Sequence, residues 1–420
     1  MAGTRGYRNS GLCPLVFEAI GRGRLIRVAF PLIGGRRWTG GYNYLCNLLR
    51  VLGDRAVGRV SPFLFLGTDL PEEDIRPFLD LPHLAIVRHS DFDEALRSRR
   101  LKSAILTGED CVAAAHFREH GMHVVFEPAQ FYGWRFPFPA IAWIPDFQHR
   151  HLKHLFGPAE YWRRELGFRA QVWSRRQIML SSEDARRDCE SFYPASLGHT
   201  AVVRFAVPAH PVDRSVAKTI AEGYGLPDRF FLLPNQFWKH KNHECVIRAL
   251  HLLKERGESI VIAVTGKQED PRDPEHFHRL TKMVEAWNLR DQFRLLGLVP
   301  YGHLSALLHA CVALINPSRF EGWSTTVEEA KSAGVPMLLS SLAVHKEQAE
   351  ARATFFDPDS PEQLAAALSA FSPWTDTVRR MAIEVAAKDA EQRITRFADE
   401  FSTLVERSAA LPSIEQFVAR

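Results

Sequence analysis

The chain is predicted to form two parallel α/β domains, each a doubly wound sheet, facing one another across a cleft. Short apolar runs of strand character alternate with amphipathic helical stretches along its whole length. The alternation breaks once, near the middle, at the proline-containing stretch 205–212, and then restarts. A length of 420 residues exceeds one ordinary hydrophobic core, so two domains are the natural division. They are placed at 1–208 and 209–390, and the closing helix, about 390–420, is expected to pack back onto the first domain.

In the first half, strands are expected at 25–30, 62–66, 84–88, 104–106, 124–126, 140–144 and 178–181. The helix beginning near Tyr42 shows its period through Tyr42, Leu45, Leu48, Leu49 and Leu52. Near-continuous apolar strands between helices indicate parallel sheets covered on both faces. In the second half, strands at 230–234, 259–265, 293–296, 312–316 and 336–340 alternate with helices at 242–256, 276–287, 303–310, 325–333 and 361–371. A further long helix is expected at 389–409. Ligands of open α/β sheets bind outside the carboxyl ends of the strands, so the cleft between the domains is the expected site.

Composition narrows the function classes. Hydrophobic residues make up 46% and charged residues 24%, the values of an ordinary globular protein. A formal charge of +4 is too small a surplus to indicate a nucleic-acid partner. Cys13, Cys46, Cys111, Cys189, Cys245 and Cys311 are scattered without CxxC spacing, as expected of reduced core thiols in a cytoplasmic protein. The N-terminal segment lacks the continuous apolar stretch of a signal peptide, and no window approaches the ~20 apolar residues of a membrane span. Any membrane contact is therefore expected to be peripheral.

The most informative stretch runs from Asn316 to Pro336. An apolar strand ends at Asn316-Pro317, a loop carries Glu321 and Gly322, and a helix opens at Ser324, Thr325 and Thr326. Thr325 with Glu328, and Thr326 with Glu329, have capping-box spacing. Gly334 followed by Pro336 is a normal helix stop. A helix start behind a glycine at a strand end offers unpaired N–H groups and a positive dipole end, which suits a phosphate or diphosphate. Glu321 ahead of the helix and Glu329 one turn inside it can accept hydrogen bonds from hydroxyls on either side of such a group. Two acids that merely favour the helix dipole would show the same spacing, so the neighbouring segments decide between the two.

The string Glu321-Gly-Trp-Ser-Thr-Thr-Val-Glu-Glu329 resembles the E-x7-E signature of glycosyltransferase family 4, which has the GT-B fold. The likeness extends to 297–304 upstream and to 345–347 downstream. It implies that Glu321 holds donor-sugar hydroxyls and acts in catalysis, that Glu329 binds the nucleotide ribose, and that Gly322, Trp323, Ser324, Thr325 and Thr326 surround the diphosphate. In the loop after strand 230–234, Lys241 aligns with the family's diphosphate-binding lysine. Gln236 stands where the family has an arginine, and Lys239 is a neighbouring source of the missing charge. Gly40 and Gly41, in the segment opening with Trp38, resemble the family's glycine loop beside the donor phosphate.

The resemblance also implies a retaining transfer from a nucleoside diphosphate sugar to a saccharide, lipid-linked or other hydroxyl acceptor, without a cofactor or metal. Family members commonly carry a His-Asp pair at the strand end that here reads Pro145-Asp146. Asp146 and the nearby His149 are the catalytic candidates of the first domain, with a surface position the alternative for His149. The Ser-rich turn 180–188 resembles the family's closing strand-to-helix turn. Asp91-Phe-Asp93 formally makes a D-x-D, but a solvated helix start accounts for it, and the 18 histidines show no metal-ligand spacing. A nucleotide-sugar epimerase, a glycan phosphorylase, or an inactive nucleotide-sugar-binding scaffold remain the alternatives on this architecture. The departures at Pro145 and Gln236 keep the last of these open.

Overall fold

The computed structural model describes residues 25–32, 35 and 39–411. Among these residues the first sheet contains β1 (Ile26–Pro31), β2 (Val60–Leu66), β3 (Ala85–Arg88), β4 (Val124–Pro128), β5 (Ala140–Trp143), β6 (Gln177–Leu180) and β7 (Thr200–Val202). The second contains β8 (Phe231–Leu233), β9 (Ile262–Thr265), β10 (Phe293–Gly297), β11 (Ala313–Asn316), β12 (Met337–Ser340) and β13 (Ala353–Phe356). The strand orders are β3-β2-β1-β4-β5-β6-β7 and β10-β9-β8-β11-β12-β13. Neighbouring strands run parallel in both sheets. Each order reverses direction once, between β1 and β4 and between β8 and β11, and those reversals are the switch points where ligands bind.

Both faces of the first sheet are covered because successive strand residues point to opposite sides. Val28, Phe30, Phe126 and Trp143 pack with the helices Thr39–Arg55 and Asp376–Ala409. Ala29, Phe65 and Val125 lie on the other face, against the helix Cys111–Glu119. The second sheet splits in the same way. Leu233, Val264 and Ile315 meet the helix His243–Glu255, while Leu232, Ala263 and Leu314 meet the helix Thr325–Ala333. Apolar burial of this kind contributes about 25 cal/mol per Å².

Several expectations need correction. Residues 104–106 belong to the helix Glu94–Thr107 and form no strand. Its four-residue step buries Arg100 and Ala104, leaving Ile105 and Leu106 exposed, so the short apolar run is a surface feature. Two short strands, β7 and β13, were not anticipated. The final helix starts at Asp376 rather than near 389, because its polar first half lies mostly exposed. It packs on the first domain through Ile394, Phe397, Phe401 and Val405. It also touches the second, where Arg393 pairs with Glu328 and donates to Ser332 Oγ at 3.1 Å.

Residues 203–213 contain no regular element and carry the chain from β7 to the helix Arg214–Gly223. Of the cysteines, Cys189, Cys245 and Cys311 are buried, whereas Cys46 is half-buried and Cys111 exposed; Cys13 lies outside the described residues. No helix among the described residues is long and apolar enough to cross a membrane.

Candidate active site

The two strands at the switch point of the second sheet, β8 and β11, deliver Asn235 and Asn316 to its carboxyl end. Asn235 Nδ2 donates to Asn316 Oδ1 at 3.2 Å, tying the two loops together. The first loop makes one 3₁₀ turn, Lys239–Lys241, and ends at Asn242 with φ of 59°. Asparagine is one of the few side chains that enters this left-handed region routinely. The Asn242 amide donates to the carbonyls of Pro317 at 3.0 Å and Pro358 at 2.8 Å, so the turn is held from two sides.

This anchoring sets Lys241 Nζ 2.7 Å from Glu321 Oε1. Ser318 Oγ donates to the same oxygen at 2.7 Å. Burial alone would push the Glu321 carboxyl up. The Lys241 ammonium outweighs burial and holds it down at about 2. His345 donates or accepts through Nδ1 at Ser340, 3.0 Å away, and its Nε2 is buried without a hydrogen-bond partner. The site is therefore a pre-paired cation and anion, with a neutral histidine held below its usual range by burial.

The helix Thr325–Ala333 starts beside this pair, with Ser324 as its N-cap. Gln348 reads both backbone groups of Ser324, accepting from its N–H at 3.1 Å and donating to its carbonyl at 2.8 Å. Ser324 Oγ accepts from Asn316 Nδ2 at 3.0 Å and does not cap the helix. The expected capping boxes do not form. Thr325 is exposed, and Glu328 turns inward to Arg393, Lys331 and Gln348. Helix geometry leaves the first-turn N–H groups of Thr325 and Thr326 without intrahelical partners, available to an anion. Thr326 Oγ1 lies 3.1 Å from Ser324 Oγ. Glu329 sits one turn further, in a recess with Pro208, His210, Tyr301 and Ser332. Burial pushes its carboxyl up to about 7, against a hydrogen bond from Tyr301 that lowers it.

The first domain closes directly on this loop. A β-carbon on Gly322 would lie 2.1 Å from the Pro145 carbonyl oxygen and 3.0 Å from Asp146 Cβ, so only glycine fits there. Ser182 Oγ donates to the Gly322 carbonyl at 3.1 Å. Glu347 of the second domain accepts the N–H groups of Glu183 at 3.0 Å and Asp184 at 3.3 Å, capping a helix of the first. Arg204 Nε also donates to Glu347, at 3.0 Å. On the opposite wall, Arg272 donates across the cleft to Gln148 Oε1 at 2.9 Å and stacks over Phe156 and Trp238.

The remaining sequence candidates separate. Asp146 is at the cleft against Gly322, where it accepts the Gln148 N–H at 2.9 Å. His149 is fully buried in the first domain, which excludes a surface position. Its Nε2 is 3.2 Å from Glu165 Oε2, and aromatic rings of Tyr161 and Phe168 surround it. Burial lowers its pKa. The expectation of a cleft histidine there is corrected: the short helix Gln148–His151 turns His149 inward. Trp323 donates its indole N–H to the Phe205 carbonyl at 3.1 Å, facing the connecting segment instead of a donor.

Lys239 is half-exposed and 3.7 Å from Asp273, with its backbone N–H held by Asp270 at 2.9 Å. Gln236 backs against Gly266, whose added β-carbon would lie 2.9 Å from Gln236 Cα. Gly40 is exposed and Gly41 buried at the start of the helix Thr39–Arg55, while Trp38 lies outside the described residues. Asn316, Gln348, Ser182 and Arg272 escaped sequence reasoning. Asn316 follows an apolar strand and carried a usable signal, whereas Arg272 becomes visible only once the two domains are apposed.

Two doubly wound domains meeting at their strand ends, with an anion-ready helix start between two acids, are a GT-B glycosyltransferase architecture. Residues 219–385 match the model of the glycosyl transferases group 1. Over 162 residues it is 24% identical to the O-antigen chain mannosyltransferase RfbU of Salmonella typhimurium, covering 39% of this chain and 44% of that one. Over 200 residues it is 26% identical to the serotype-specific mannosyltransferase WbdA of Escherichia coli, covering 47% and 23%. The aligned part is thus less than half the length of these relatives. Among solved structures, Anabaena Alr3699/HepE in complex with UDP and glucose superposes with a TM-score of 0.65 at 14% identity, covering 91% of this chain and all (100%) of that one. A glycosyltransferase from Rickettsia africae gives 0.61 at 14% identity, with 91% and 96% covered.

Proposed function

We propose that the protein transfers a sugar from a nucleoside diphosphate sugar to a hydroxyl of a glycan or lipid-linked acceptor, with retention at the anomeric carbon. The observation that carries this reading is the Lys241–Glu321 pair, 2.7 Å apart beside the start of the helix Thr325–Ala333. The donor diphosphate occupies the helix start, where the N–H groups of Thr325 and Thr326 and the Lys241 ammonium stabilise the charge that develops as the sugar leaves. Glu321, ionised at neutral pH, accepts hydrogen bonds from sugar hydroxyls, and Glu329 accepts those of the ribose. Gly322 lets Asp146 approach the sugar from the first domain. The 1–208 domain presents the acceptor and the 209–390 domain the donor.

The mannosyltransferase relatives and a structural neighbour bound to UDP and glucose support a hexose donor, and the O-antigen chain named for one relative supports a polysaccharide acceptor. Retention follows the family signature at Glu321 and Glu329. Thermal-shift titration with a panel of nucleotide sugars identifies the donor, because a ligand that binds only the folded chain raises its melting temperature. NMR of the product made from that donor then reports the anomer. A product of inverted configuration sinks the retaining reading, and no stabilisation by any nucleotide sugar sinks the donor site.

A further inference from the structure

Beyond the cleft, one cluster of ligand-type side chains stands outside the proposed transfer machinery. It lies at the carboxyl end of β3, where His89 precedes the 3₁₀ turn Ser90–Phe92 and His116 reaches in from the helix Cys111–Glu119. His116 Nε2 is 2.8 Å from Asp91 Oδ2, and His89 Nδ1 is 3.4 Å from the same oxygen. All three ligand atoms fall within 4.8 Å of one another. We propose that His89, Asp91 and His116 form a binding site for a first-row transition-metal dication such as Zn²⁺.

The geometry is near what such an ion requires. Nitrogen and oxygen ligands at about 2.1 Å from a tetrahedral zinc lie about 3.4 Å from one another, so small side-chain rotations complete the set. Two imidazoles and one carboxylate are a borderline donor set, which favours zinc, cobalt or nickel over magnesium or calcium. Three protein ligands leave a coordination position open to water or an anionic group.

The ligands are also positioned by their surroundings. The Glu119 carboxylate lies 3.9 Å from His116 Nδ1, beyond hydrogen-bond range, on the ring edge opposite Asp91. Arg100 donates to the Asp91 carbonyl at 2.6 Å and lies over the Phe92 ring, holding the turn. The other acid of the D-x-D, Asp93, is spent on Thr68, whose N–H it accepts at 2.6 Å. His89 Nδ1 now accepts the Asp91 N–H at 3.1 Å, and metal binding replaces that bond, which lowers the affinity.

The test is titration of the tag-free full chain with Co²⁺, read by its visible d–d absorption, followed by displacement with Zn²⁺. One equivalent of cobalt should bind and be displaced by zinc but not by excess Mg²⁺. Asp91→Asn, His116→Gln and the exposed His89→Gln should each lower the affinity at least tenfold, while His278→Gln, an exposed histidine elsewhere, leaves it unchanged. Circular dichroism and melting temperature identify any variant that fails to fold, and His89→Gln, the mildest change, then carries the comparison. Absent cobalt bands, or bands that persist unchanged in folded His89→Gln and Asp91→Asn, overturn the proposal. The transfer reaction is assayed separately and does not bear on this outcome.

Discussion

Lys241→Met separates the structural role of the Lys241–Glu321 pair from its role in turnover. The side chains of Lys241 and Glu321 are 17% and 8% exposed, so the pair is close to buried. Removing one partner of a buried pair costs about 3–5 kcal/mol, because the other charge is left without compensation. Ser318 Oγ and Asn316 Nδ2 still donate to Glu321, at 2.7 and 3.4 Å, which places the expected cost at the lower end, about 3 kcal/mol. Urea unfolding at pH 7 measures it. Turnover should fall about 10²- to 10³-fold, the effect of losing one donor to a developing anion. The double variant Lys241→Met/Glu321→Met removes both charges and should regain most of the stability while remaining inactive. Lys241→Met with near-normal turnover, or a double variant less stable than the single one, refutes the reasoning.

Gly322→Ala must displace Pro145 and hold the cleft ajar; small-angle scattering should show a larger radius of gyration alongside lost turnover, and an unchanged radius with full activity contradicts the contact. Glu347→Gln weakens the charged cap on Glu183 and Asp184, with an expected loss of about 1–2 kcal/mol by denaturant unfolding. Glu329 titrates at about 7 in the folded chain, above its ordinary 4.5. A raised folded value means stability that is full below 4.5 and lost as pH rises through 7, so Glu329→Gln should flatten the melting-temperature profile over that window. If the ionised form accepts ribose hydroxyls, donor KM in the wild type falls as pH rises through the same range. His149→Ala should destabilise the first domain through its buried contacts with Glu165, Tyr161 and Phe168, yet leave kcat of the folded fraction nearly intact.

The sheet architecture was legible because buried parallel strands read as apolar runs whatever the tertiary detail. The runs around Phe30, Phe126 and Ile315 illustrate this. Residues 104–106 misled because an apolar run of that length fits a strand or an exposed helical patch equally well, and only the burial of Ala104 beside Arg100 separates them. The short edge strands β7 and β13 pair on one side only, which leaves little apolar pattern to detect. At the site, Glu321, Glu329 and the helix start lie close in sequence and could be found together. Lys241 required the family likeness. His149 was misplaced because a histidine after a strand end gives no sign of which way its short helix will turn. Arg272 and Ser182 acquire meaning only through apposition of two domains, which no local pattern encodes. The D-x-D at Asp91 looked like a plain helix start for the same reason, since His116 joins it from 25 positions away.

The chain passes between the two domains twice, once through residues 203–213 and once through the helix Asp376–Ala409. That helix is fastened to the first domain through Arg59, which meets Asp399 and Glu406 at 2.9 Å each, and to the second through Arg393 and Glu328. A single tether would act as a ball joint and permit any relative orientation. The two crossings lie side by side, since the Arg204 N–H donates to Glu400 at 3.1 Å and Ser332 Oγ bonds both the Val207 carbonyl and Arg393, so motion reduces to bending along that one seam. Donor-loaded and empty forms should therefore differ by one angle, and that angle sets how far Gly322 withdraws from Pro145.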